Sequence, residues 1–243
     1  MGSMFRKNTA ATPNLIAHRG LAVNAPQNSI ASFEAAGANG FWAIETDVHK
    51  TADGILVCCH DSTVDSMFDG HGSICEMTFS QLRALSFRAE KSNGCSNCGC
   101  MPTFDEYLQI CKRYGSIPFI ETKTADISDV LEAAASYFAE DEFLISSSRF
   151  SHLEAVREIT DKVFVHHIFS DELKMLRLSE LGNSGLSYNY PDYTKCPRQL
   201  LERTHAAGVK ICLRAGDTQR AVLDMIEMGL DYIPTNVISS VDP

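Results

Sequence analysis

Short apolar runs alternate with longer amphipathic segments along nearly the whole chain, and this alternation constrains the fold more than any other feature. Strand-like runs fall at 14–17, 42–48, 55–59, 117–121, 143–147, 163–168, 185–188, 209–213 and 230–234. Helix-like segments fall at 28–39, 78–86, 103–114, 126–139, 149–159, 170–181, 197–207 and 217–228. Local signals agree with these periods. Ser29 and Thr103 stand where helix N-caps belong, with Glu106 three residues after Thr103 as in a capping box. Gly208 and Gly229 stand where helices stop before the next strand. The β–α unit recurs about eight times in 243 residues, which is the arithmetic of a TIM (β/α)8 barrel. A doubly wound open sheet is the alternative, but no G-x-G-x-x-G follows the first strand, so its dinucleotide-binding form has no support. The expectation is one barrel domain over 1–243. Residues 61–102, rich in Gly, Ser, Cys and Asp, read as a small insertion after the second strand unit, at the C-terminal barrel face.

Charge and cysteine usage narrow the surroundings. The formal net charge is −10, which repels phosphate backbones at long range and argues against a nucleic-acid partner. No apolar stretch is long enough for a membrane span, and the first residues lack the apolar region of a signal peptide. Nine cysteines is an odd number, and Cys58, Cys59 and Cys212 sit in apolar strand-like runs. That pattern fits a reduced, cytoplasmic protein better than a disulfide framework. Three more, Cys95, Cys98 and Cys100, crowd the Gly-rich insertion. One C-x2-C pair falls short of the two pairs common in structural zinc sites, so free thiols in a small-residue loop are the simpler reading.

The chemistry gathers at expected strand ends. The first strand closes on His18-Arg19-Gly20, the second carries Glu45 and Asp47, the returning run ends at His60, and the next strand ends in Glu121-Thr122-Lys123. Side chains alternate along a strand, so Glu45 and Asp47 share one face, as do Glu121 and Lys123. In a barrel these ends meet at one mouth. Three converging carboxylates repel one another, and burying each without a partner costs several kcal/mol. One divalent cation resolves this, and oxygen-only ligands select a hard one, Mg²⁺ or Ca²⁺. A salt-bridge network with Arg19 and Lys123 is the competing reading. Two histidines suggest an acid and a base, and the two cations suit a phosphate. Together they describe phosphodiester cleavage.

The segments "IAHRG", "APQNSIASFEAA", "AIETDVHKTADGILVCCHD", "PTFDEYL", "PFIETK" and "GLDYIPTN" occur in order over residues 15–236. In this set the chain resembles the glycerophosphodiester phosphodiesterase family. The resemblance implies a TIM barrel, and hydrolysis of a small-molecule glycerophosphodiester to glycerol 3-phosphate and an alcohol. It implies His18 and His60 as the acid/base pair, Glu45, Asp47 and Glu121 as ligands of the cation, and Arg19 and Lys123 as phosphate contacts. Two departures stand out. Pro26-Gln27-Asn28-Ser29 replaces a Pro-Glu-Asn-Thr motif, and the run around Cys212 lacks a tryptophan that helps line the pocket, with Arg214 following it. A lysophospholipid-type substrate, or a non-catalytic barrel that binds a phosphorylated ligand, are the other readings. Smaller candidates are His166 and His167, Tyr188 and Tyr190, and Asn236.

Overall fold

The computed structural model describes residues 4–5, 7–92, 94–95 and 98–238. Eight parallel strands form the barrel: β1 (Leu15–Ala17), β2 (Ala43–Lys50), β4 (Ile117–Thr122), β5 (Leu144–Ser147), β6 (Phe164–Ser170), β7 (Ser184–Tyr188), β8 (Lys210–Cys212) and β9 (Ile233–Thr235). A ninth, β3 (Leu56–Cys58), runs antiparallel to β2 and carries the chain back to the mouth. The order around the ring is β8-β7-β6-β5-β4-β2-β1-β9.

The strands at the two ends of that order are joined by side-chain and loop contacts rather than a ladder. Asp231 donates its N–H to the Ile211 carbonyl at 3.0 Å. Its carboxylate accepts from the Ile211 N–H at 2.9 Å and from Lys210 Nζ at 2.8 Å. Nearer the mouth, Gly216 donates to the Pro234 carbonyl at 2.8 Å. The sequence places a strand at 230–234, whereas β9 begins at Ile233, because Asp231 turns sideways to close this seam.

Helices α1 (Ile30–Ala38), α3 (Phe104–Tyr114), α4 (Ile127–Ala135), α5 (Phe150–Ile159), α6 (Glu172–Leu181), α7 (Arg198–Ala206) and α8 (Gln219–Glu227) alternate with the strands, and a short α2 (Phe79–Arg83) lies within 61–102. The expected caps form. Thr103 and Glu106 make a reciprocal capping box on α3, and Ser29 does so on α1 with Ser32. Helix α4 is shorter than its periodic pattern, since Phe138 reaches the core from a turn. Residues 61–102 bring Val64, Phe68, Ile74, Leu82 and Met101 around Val57 and Cys59 in a cluster of their own.

Strand parity divides the apolar residues into two layers. Ile44, Val48, Ile120, Ile145 and Val165 face the helices. Ile16, Trp42, Ala43, Phe119, Leu144, Phe164, Cys212 and Tyr232 fill the ring, with Met4 and Phe5 packed against them. Gly185 makes this filling possible: a Cβ there would lie 2.4 Å from the Tyr232 hydroxyl and 2.7 Å from Phe164. Above the apolar floor the same inward positions turn polar, and that switch forms the site.

His166 sits at the switch. It is 2% exposed, and its Nδ1 lies 2.6 Å from the Tyr232 hydroxyl. Burial, and then the nearby His167, push its pKa down to about 3. An unfolded histidine titrates near ~6.5, so on acidification the unfolded chain binds a proton that the native chain refuses. Stability is therefore lost as pH falls below the unfolded value. Urea unfolding between neutral and mildly acidic pH should show a steeper loss in the wild type than in His166→Gln, by up to about 1.4 kcal/mol per pH unit. Equal slopes would contradict a neutral, buried His166.

Candidate functional site

A cleft of about 410 Å³ opens at the C-terminal ends of the barrel strands. Its walls follow strand parity: His18 above Ile16, Glu45 on β2, Glu121 and Lys123 above Phe119, Ser146 on β5, His166 on β6, Ser187 on β7, Arg214 above Cys212, and Asn236 above Pro234. His60 enters from β3. The sequence-derived set of His18, Arg19, Glu45, His60, Glu121 and Lys123 thus meets at one mouth. Asp47, fully buried, lies just beneath it.

Glu45, Asp47 and Glu121 bring one oxygen each within 4.8 Å of one another. Among the described residues this is the one such gathering of acidic, His or Cys groups, and Cys95, Cys98 and Cys100 do not form another. Register explains it: β2 and β4 pair with Asp47 opposite Glu121. The two expected cations are there as well. Lys123 Nζ lies 2.5 Å from Glu121 Oε1 and 3.1 Å from Asp47 Oδ1, and Arg19 Nε lies 3.5 Å from Asp47 Oδ2. The salt-bridge network is real, but it does not balance the site. Three carboxylates face two cations, and Asp47 Oδ1 and Arg19 Nε, though in ion pairs, are buried without a hydrogen bond.

The imbalance shows in the proton affinities. Burial, then Asp47 and Glu121, raise the Glu45 pKa well above the carboxylate range. Burial and Asp47 push Glu121 up to about 7 against the pull of Lys123. For Asp47 burial acts upward too, but Lys123, Arg19, His60 and the Asn28 amide outweigh it and hold the carboxyl below its usual value. Two acids with raised proton affinity beside one held low are a set short of positive charge. A hard divalent cation supplies that charge to an oxygen-only donor set, so the residues fit Mg²⁺ or Ca²⁺.

The backbone around the acids is bent to serve them. Arg19 adopts φ +60° and Asn28 φ +50°, conformations that cost a side-chain-bearing residue ~1–3 kcal/mol each. The turn aims the Arg19 N–H at Glu45 Oε2, 2.7 Å away. Asn28 Nδ2 donates to Asp47 Oδ2 at 2.9 Å while its Oδ1 accepts from Thr46 at 2.8 Å. Gly20, at φ +78°, lets this turn press against α1, where a Cβ would come 2.5 Å from the Ser32 hydroxyl. Gln27, where the resemblance leads one to expect an acid, accepts from Arg19 through its Oε1 at 2.9 Å. The guanidinium keeps its anchor and loses only the charge.

Each histidine has an orienting partner. His60 Nδ1 lies 2.8 Å from Asp61 Oδ1, and Asp61 also accepts from the Ser66 hydroxyl. His18 Nδ1 lies 2.9 Å from Asn236 Oδ1. That amide is itself oriented: Asn236 Nδ2 and backbone N–H each donate to the Asp217 carboxylate at 2.8 Å. A carboxylate only accepts, so the amide oxygen must face His18 and His18 Nδ1 must carry the hydrogen. Nε2 of neutral His18 is then left with its lone pair. Burial, and then Arg19, lower the His18 pKa, which favours that neutral form. Asp217 carries no signal in the sequence, and the position of Asn236 after the last strand does not reveal this role. The contact spans β9 and the loop after β8, which nothing local encodes. Of the smaller candidates, Tyr188 lines the cleft with its hydroxyl 3.0 Å from Thr204, and His167 turns to the helix layer, its ring 5.5 Å from that of Phe150.

By fold the molecule is a TIM barrel, and that fold matches known phosphodiesterase structures. A phosphodiesterase of Oleispira antarctica, solved in complex with the product sn-glycerol-3-phosphate, superposes with a TM-score of 0.83 at 25% identity, covering 93% of this chain and 94% of that one. A glycerophosphodiester phosphodiesterase from Parabacteroides distasonis gives a TM-score of 0.76 at 26% identity, covering 92% of each chain. The model of the glycerophosphoryl diester phosphodiesterase family matches residues 18–240, and the chain belongs to that family. The glycerophosphodiester phosphodiesterase of Caldanaerobacter subterraneus is 30% identical over 235 residues, 91% of this chain and 93% of its own length. The bovine glycerophosphodiester phosphodiesterase 1 is 40% identical over 110 residues, 44% of this chain and 33% of that protein. The match thus spans a third or less of the curated mammalian relatives.

Cation binding at the three acids has a direct readout. At a hundredfold excess over the dissociation constant, a ligand specific for the native state adds about 2.7 kcal/mol. Adding Mg²⁺ or Ca²⁺ to chelator-treated protein should raise the melting temperature by several degrees, and the rise should vanish in Asp47→Asn. An equal rise in that variant would place the ion elsewhere.

Proposed function

We propose that this protein hydrolyses glycerophosphodiesters to glycerol 3-phosphate and an alcohol, with a divalent cation held by Glu45, Asp47 and Glu121. The observation that carries the reading is the three-carboxylate group, with Arg19 and Lys123 beside it, in a cleft lined by both His18 and His60. A bound cation would supply Lewis-acid charge to the phosphoryl oxygens. Arg19 and Lys123 add fixed positive charge to the same oxygens, and because Gln27 and the acids restrain their side chains, little reorganisation is needed on binding.

His18 serves as the base. Its neutral form presents Nε2 to the cleft and takes a proton from the nucleophile, either water or the glycerol 2-hydroxyl of the substrate. His60, held by Asp61, returns a proton to the leaving alkoxide. Asp217 acts on His18 only through Asn236, as a positioning residue. A substrate analogue lacking the 2-hydroxyl separates the two nucleophiles: normal turnover excludes a cyclic phosphate. The chain's acidity and its nine free cysteines, spread over strands, helices and the 61–102 segment, support action in a reducing, cytoplasmic setting on small molecules rather than nucleic acid. No helix among the described residues is long and apolar enough to cross a membrane. Residues 61–102 we read as an insertion of one barrel domain; the approach of Gln27 Nε2 to Met67 Sδ, 3.5 Å, supports its place beside the mouth.

A coupled assay for glycerol 3-phosphate tests the reaction. Wild-type protein should release it from glycerophosphodiesters with Mg²⁺ or Ca²⁺ and stop on chelation, and His18→Ala and His60→Ala should each lose about 10²–10⁴-fold in kcat. Inactivity across such a panel with metal present would refute the reaction. Asp217→Ala, which frees the Asn236 amide to flip, should lower kcat about 10–100-fold with KM nearly unchanged.

A further inference from the structure

Strand parity assigns every second residue of β6 to the cleft: Phe164 in the floor, His166 above it, and Ile168 at the wall. Phe169 should then face the helices. Instead it also lines the cleft, and it is 52% exposed. The cause is a break in the ladder. His167 pairs with Leu186 and Ser170 with Tyr188, so two residues of β6 stand opposite one of β7. At this bulge Phe169 takes φ +56°. A bulky aromatic in that region is strained, and a bulge beside a site is a means of re-aiming a side chain. The fold thus holds an apolar ring in a costly conformation with half of it in water.

We propose that Phe169 is a specificity-determining residue, forming with Ile168 an apolar wall that receives a neutral hydrocarbon group on the alcohol side of the substrate. This rests on the diesterase reading and extends it to the substrate class. Both residues line the cleft from β6, one strand removed from Glu121 and Lys123 at the end of β4. Arg214 lines the same cleft and disfavours a cationic alcohol, while neither apolar side chain can bond the hydroxyls of a sugar-like one. The strain is kept because the ring gains its contacts only when substrate arrives.

The probes are glycerophosphodiesters of n-hexanol, choline and glycerol, together with their non-hydrolysable phosphonates for calorimetry. Wild-type protein should favour the hexyl ester over the glyceryl ester about tenfold in kcat/KM, the discrimination expected of a modest apolar contact. The hexyl phosphonate should bind correspondingly tighter. In Phe169→Ala both preferences should fall to near parity, chiefly through a higher KM for the hexyl ester. Phe169→Gly should lose the same preference yet melt at a higher temperature than Phe169→Ala, because glycine accepts the positive φ freely. Unchanged preference in the variants, or a choline or glyceryl ligand bound more tightly than the hexyl one by the wild type, would overturn the proposal. Calorimetry reads binding without turnover. An inactive protein would therefore defeat the proposed reaction, while this inference is still decided by the phosphonates.

Discussion

The mouth of this barrel is organised by a deficit of positive charge. Three carboxylates converge because β2 and β4 pair in one register, and Arg19 and Lys123 neutralise them only in part. Much of the surrounding structure answers that deficit. The left-handed turns at Arg19 and Asn28 deliver an N–H and an amide to the acids, Gly20 gives the first turn room against α1, and Thr46 fixes the Asn28 amide. Two acids meanwhile hold their protons more tightly than carboxylates in water. A donor set of this kind, short of positive charge and built only of oxygens, suits a hard dication.

Polar and apolar layers divide the interior in a way that simple alternation explains. The inward positions are aromatic or aliphatic at the floor and ionisable at the mouth, while Ile44, Val48, Ile120, Ile145 and Val165 on the outward faces pack against the helices. The floor therefore does two things. It supplies the burial that holds the ring together, and it lowers the dielectric beneath the acids, which strengthens every charge interaction above it. His166 marks the border, kept neutral by burial beside the Tyr232 hydroxyl.

Most of this was legible in the chain because it is periodic or local. Alternation fixed the strands to within a few residues, caps such as Thr103 and Ser29 marked helix starts, and parity put Glu45, Asp47, Glu121 and Lys123 on inward faces. What escaped depends on closure of the ring or on breaks in period. Asp217 reaches Asn236 only because β9 returns beside the loop after β8. Asp231 looks like part of a strand but caps the seam. Phe169 has the parity of a helix-facing residue, and a single extra residue in β6 reverses it. No composition or spacing rule reports an event that requires two distant strands to be compared in register.

The seam between β8 and β9 carries a further meaning. It is stitched at the level of Asp231 and again, nearer the mouth, by Gly216 on Pro234 and Asp217 on Asn236. The upper stitch is the same set of contacts that sets the tautomer of His18. Completing the circle and orienting the His18 imidazole are therefore one event. A molecule whose ring has come open at this joint keeps its acids, which lie across the barrel on β2 and β4, yet loses its grip on the imidazole. The orientation of His18 is thus an internal gauge of whether the last strand has docked.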